Sequence, residues 1–97
     1  MDPKTIEHKK LGVKATIRPL KQRDLESFGA ALAQLPSESS SQRRGANVRA
    51  AITAGWFSEI QPAITADQVA DQEPAVIKLL GDWIDQVYGE VTAIPPE

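Results

Sequence analysis

The sequence predicts an α+β fold, mostly helical, with an N-terminal β-hairpin packed with three main helices. Three observations predict it. Apolar residues alternate with polar ones on the C-terminal side of Gly12. Three later stretches repeat their apolar residues at helical spacing, separated by proline, glycine and serine. And 97 residues make one domain, 1–97, rather than two.

The hairpin is expected over about 4–18. Thr5, Ile6 and His8 precede Lys9-Lys10-Leu11-Gly12, where Gly12 supplies the turn. Val13, Ala15 and Ile17 then alternate with Lys14, Thr16 and Arg18, which puts the apolar set on one face. Pro19 has no N–H to donate and ends the ladder.

The first helix is expected over about 21–35, with Leu25, Phe28, Ala31, Leu32 and Leu35 on its apolar side. Gly29 weakens it by about 1 kcal/mol relative to alanine, and opens room for another backbone to approach. Pro36 stops it, and Ser37-Glu38-Ser39-Ser40-Ser41 forms a polar hinge whose serines are good N-caps. The second helix is expected over about 42–54, with Gly55 as the residue just past its end. Trp56-Phe57-Ser58-Glu59-Ile60 reads as a hydrophobic knot before Pro62. Thr65 and Gln68 have capping-box spacing, so a short helix starts at Ala66.

The last helix, about 74–92, is the best patterned. Pro74 suits its first turn, and the acids of Asp71-Gln72-Glu73 suit its dipole. Val76, Leu80, Trp83, Val87 and Val91 form one stripe, with Ile77, Ile84 and Tyr88 beside it. Asp82, Asp85, Gln86 and Glu90 lie opposite. Ile94-Pro95-Pro96-Glu97 is extended because proline cannot continue a helix.

A chain of this length buries only roughly 60–65% of its unfolded surface, so its core is thin. With no cysteine, neither disulfides nor thiolate metal sites reinforce it. No secretory signal and no apolar run of membrane-spanning length is visible, so the expected place of action is the cytoplasm. Charge is segregated: residues 1–50 carry +5 and residues 51–97 carry −7, for a net −2. Either the halves attract each other within one fold, or a basic and an acidic face allow head-to-tail self-association or a charged partner.

Chemistry is sparse. His8 is the sole histidine, and without cysteine it meets none of the usual zinc ligand sets. Asp82 and Asp85 share a helix face, but they lie opposite the apolar stripe, where carboxylates ordinarily meet water. No phosphate-binding glycine loop is present; Gly45, Gly81 and Gly89 are isolated. No catalytic residue, cofactor or metal is therefore expected. Arg43, Arg44 and Arg49 are the best nucleic-acid candidates, but the sequence pI is about 5.4 and no aromatic residue interleaves them. The expected role is protein binding. Trp56, Phe57, Trp83 and Tyr88 are the candidate apolar anchors, and Arg43, Arg44 and Arg49 the polar rim. The ordinary alternative places both tryptophans in the core.

The run Val48-Arg49-Ala50-Ala51-Ile52-Thr53-Ala54-Gly55-Trp56-Phe57 resembles a segment of the small tail assembly chaperones of long-tailed bacteriophages. So does Leu80-Gly81-Asp82-Trp83-Ile84-Asp85-Gln86-Val87-Tyr88-Gly89-Glu90-Val91 with Ile94-Pro95-Pro96, and so does Ile17-Arg18-Pro19-Leu20 before an acid-bearing helix. The resemblance covers about half of the chain and rests on packing signatures. It implies a protein that coats the long helical tape measure protein before the tail tube forms, and that is absent from the finished virion. It also implies a longer frameshifted form that recruits tail tube subunits. The alternatives are another phage assembly component, such as a connector or tail completion subunit, or a small DNA-binding regulator.

Overall fold

The computed structural model describes residues 1–96. Its elements run β1 (Lys4–His8), β2 (Val13–Ile17), α1 (Gln22–Leu32), α2 (Ser40–Thr53), β3 (Phe57–Gln61), a 3-10 helix (Ala66–Asp71) and α3 (Pro74–Thr92). The α+β, mostly helical class holds, and the N-terminal hairpin and the three main helices form as expected. Two helices shift at their ends: α1 stops at Leu32, before the expected Leu35, and α2 begins at Ser40, before Gln42.

The hairpin turns at Gly12, whose φ of 67° suits glycine and whose N–H donates to the Lys9 carbonyl at 3.1 Å. Val13, Ala15 and Ile17 are buried, and Lys14 faces outward. The sheet has a third strand where a knot was expected. β3 pairs antiparallel with β2, giving the order β1-β2-β3. Ala15 faces Ile60 and Ile17 faces Phe57, with a register shift between Thr16 and Ile17. That bulge inserts one extra residue, so Phe57 and Ile60 reach one face although they stand three apart.

The chain enters β3 through a Schellman turn. Gly55, at φ 71°, donates its N–H to the Ile52 carbonyl, and Trp56 donates to Ala51, each at 3.0 Å. The Ser39 hydroxyl accepts from the Gln42 N–H at 3.1 Å, and the Gln42 side chain accepts from the Ser39 N–H at 3.2 Å. This reciprocal cap is why α2 starts inside the serine hinge. The Thr65–Gln68 cap also forms, at 3.1 Å, but it opens a 3-10 helix. Pro74 opens α3 as expected, whereas Asp71 and Glu73 fall before its first turn.

α2 packs against α3, α1 and the 3-10 helix. Its small residues Ala46, Ala50 and Ala51 are buried at these contacts. The closest approach is at Gly81, where a Cβ would lie 2.8 Å from the Arg44 Cα. α3 lies over the buried sheet face: Trp83 sits 6.4 Å from Phe57, and the Lys4 ammonium meets the Glu90 carboxylate at 2.7 Å. One core joins sheet and helices through Val13, Ile17, Phe28, Val48, Trp56, Leu80 and Ile84.

Three of the four ion pairs among the described residues, Lys4–Glu90, Lys14–Glu59 and Arg44–Asp82, join the basic N-terminal half to the acidic C-terminal half. Part of the charge asymmetry is thus used within the fold, three of the ten cations of the first half pairing with acids of the second. The fourth pair pins three elements together. The Arg18 guanidinium meets both carboxylate oxygens of Asp24, at 2.8 and 3.1 Å, and also donates to the Gly55 carbonyl at 2.7 Å. Asp24 accepts the Lys21 N–H at 2.8 Å as well. Together, the Arg18 and Lys21 donors hold the Asp24 carboxyl down at about 2.

Candidate functional site

The four aromatic anchor candidates separate by depth. Trp56 is fully buried. Its indole N–H donates to the Asp24 carbonyl at 3.0 Å, and its ring stacks on Phe28 at 4.5 Å. It is a core residue because the Schellman turn folds it back under α1. Trp83 is only 8% exposed and packs toward Phe57, so it too belongs to the core. Phe57 is half-buried on β3. Tyr88 is 39% exposed, and its ring lies 5.9 Å from Phe28. The ordinary reading of the tryptophans therefore describes them, and the candidates with exposed surface reduce to Tyr88 and the half-buried Phe57.

The three arginines do not form one rim. A helix turns about 100° per residue, so positions 43, 44 and 49 point in three directions. Arg43 is exposed. Arg44 reaches across α3 and donates to Asp82 at 2.9 Å. Arg49 lines an open groove of about 510 Å³ with Leu35, Thr53 and Asp67. No basic stripe for a phosphate backbone results. The Asp82–Asp85 pair holds α2 to α3: Asp82 takes Arg44, and Asp85 accepts the Asn47 amide at 2.9 Å. His8 accepts the Leu11 N–H through Nδ1 at 3.2 Å and so braces the hairpin turn.

Two partly apolar surfaces flank α3. The first is the seam between α1 and α3. Tyr88 and Val91 share a face of α3, and Leu25, Phe28 and Leu32 share a face of α1. Leu25, Leu32 and Val91 are only half-buried there. Gly29 is exposed beside them, and a Cβ at that position would meet nothing within 4 Å. The room expected at Gly29 is therefore open to solvent.

The second surface was not foreseen. It is an open cleft of about 370 Å³ on the opposite flank of α3, against the hairpin. Ile6, Leu11, Leu79 and Trp83 give it an apolar floor, with His8, Lys78, Asp82 and Gln86 around them. The sequence pattern named Trp83 as part of the α3 stripe, but Leu79 lies off that stripe and nothing in the pattern joined them to Ile6 and Leu11.

Among the described residues, no group of three or more His, Asp or Glu side chains is placed to hold a metal ion. Among the described residues no helix is long and apolar enough to cross a membrane. No protein-family profile, curated protein or solved structure matches the chain.

Proposed function

We propose that this chain is a non-catalytic protein-binding module, and that it serves as a tail assembly chaperone of the long-tailed phage kind, coating the tape measure protein before the tube polymerises. Tyr88 carries this reading. It is an exposed aromatic ring seated on Phe28, which is itself stacked on Trp56. A ring held on a rigid base loses little freedom on binding, and tyrosine is enriched at binding hot spots. Leu25, Leu32 and Val91 extend the apolar strip, while Gly29 and Ala33 leave low relief beside it. A helix can lie along such a strip with its apolar face inward, which is what a long helical partner offers. The half-buried leucines supply contact area that a thin core leaves uncovered.

The test is co-expression of the tagged chain with a tape measure protein from the same source. The expected result is a soluble complex holding several copies of this chain per partner, lost with Tyr88→Ala, and no trace of the chain in purified virions. Presence in virions would move the assignment to a connector or tail completion subunit. A partner that stays insoluble and uncaptured would overturn the chaperone reading. A longer frameshifted form, if made, should also retain tail tube subunits.

A further inference from the structure

We propose that the extended segment Ile94-Pro95-Pro96 of one copy docks in the hairpin–α3 cleft of a second copy, so that the chain self-associates head to tail. The cleft floor is aliphatic and aromatic, formed by Ile6, Leu11, Leu79 and Trp83. The segment matches it in kind. Ile94 is 92% exposed, the most exposed of the large hydrophobic side chains. Pro95 and Pro96 hold the following backbone extended, so little order is lost on docking, and proline-bearing segments favour aromatic-lined grooves.

Charge agrees. Lys78 stands at the cleft wall, and the exposed Lys9-Lys10 pair lies in the turn between His8 and Leu11, which both line it. The one carboxylate in the lining, Asp82, is already paired with Arg44 at 2.9 Å. The arriving segment is followed in sequence by Glu97, an acid.

Reach decides that the contact is between copies. α3 ends at Thr92. Leu79 and Trp83 lie about 14 to 20 Å back along that helix at 1.5 Å per residue. Ile94, the anchoring side chain, stands two residues beyond Thr92, so it spans at most about 7 Å, short of Leu79 and Trp83, and at 92% exposure it does not sit in its own copy's cleft. A segment whose Ile94 cannot reach its own cleft but fits its neighbour's makes a heterologous contact, which grows into a row or, where the rotation closes, a ring. The cleft and the Tyr88 seam are on opposite flanks of α3, so a row of copies keeps its seams free. The inference does not depend on the identity of the partner.

Sedimentation of the full chain from about 10 µM to about 1 mM tests it. The expected result is a mass that rises with concentration and passes beyond a dimer. Ile94→Glu, at an exposed position outside the core, should weaken association at least tenfold without moving the unfolding midpoint. Lys78→Glu should weaken it less. The chain has no cysteine, so single cysteines report the contact cleanly. Ala75→Cys mixed with Pro96→Cys should cross-link across copies faster than either variant with itself. A strictly monomeric chain at 1 mM, or association untouched by Ile94→Glu, would overturn the proposal. So would a rapid internal cross-link in the Ala75→Cys/Pro96→Cys double variant at high dilution.

Discussion

Gly81 and Gly89 stand on the same helix and predict opposite answers to the same substitution. At Gly81 a Cβ would sit 2.8 Å from both Cα and Cβ of Arg44 and 2.9 Å from its carbonyl oxygen. Two of these three atoms are backbone, so no rotamer change relieves the clash. α2 and α3 must part by about half an ångström before ordinary contact is restored. That separation loosens the contact on which Ala46, Ala50, Leu80 and Ile84 depend, and it stretches the Asn47 bonds to Gly81 and Asp85. Overpacking of this kind costs about 1–3 kcal/mol, and contact with backbone atoms puts this site at the upper end, about 2–3 kcal/mol. Alanine returns about 1 kcal/mol through helix propensity. The net expectation for Gly81→Ala is a loss of about 1–2 kcal/mol, or roughly 4–16 °C in unfolding midpoint for a domain of this size. At Gly89 a Cβ meets nothing within 4 Å, and the residue is exposed. Gly89→Ala should therefore gain about 0.5–1 kcal/mol. Urea unfolding followed by tryptophan fluorescence measures both. A Gly81→Ala variant as stable as the parent would refute the close crossing of α2 and α3.

Further outcomes follow from the same structure. The Asp24 carboxyl is held at about 2, below its ordinary 3.8, so its ionised form stabilises the fold above about pH 4. That contribution is lost as pH falls from about 4 through about 2, and acid unfolding of Asp24→Asn should lack this component while the variant is less stable at neutral pH. Trp83→Ala should cost about 3–5 kcal/mol, a large share of a small domain's total. Retained stability with lost partner binding would instead make Trp83 a surface anchor.

The parts legible in the sequence were those with an unbroken period. The Val13-Ala15-Ile17 alternation and the α3 stripe both appear in the structure as read. β3 was hidden because its bulge spaces Phe57 and Ile60 by three, which matches neither the strand period nor a helix of that length. Trp56 was ambiguous because burial depends on where Gly55 sends the chain, and the Schellman turn sends it beneath α1. Gly81 read as isolated because its constraint comes from Arg44, 37 positions away in sequence. The splay of Arg43, Arg44 and Arg49 was within reach of helical geometry, whereas the Arg44–Asp82 pairing needed the α2–α3 crossing. Among the candidate anchors, sequence pattern could not tell the exposed Tyr88 from the buried Trp56 and Trp83, since all were read on or beside apolar faces.

The most direct test of the account is calorimetric titration of the purified chain with a helical segment of the tape measure protein, comparing the parent with Tyr88→Ala. Binding that weakens at least tenfold in the variant, about 1.4 kcal/mol or more, while the variant stays folded at the assay temperature, is the predicted result. Equal binding by both chains would remove Tyr88 from the interface, and no binding by the parent would contradict the chaperone function itself.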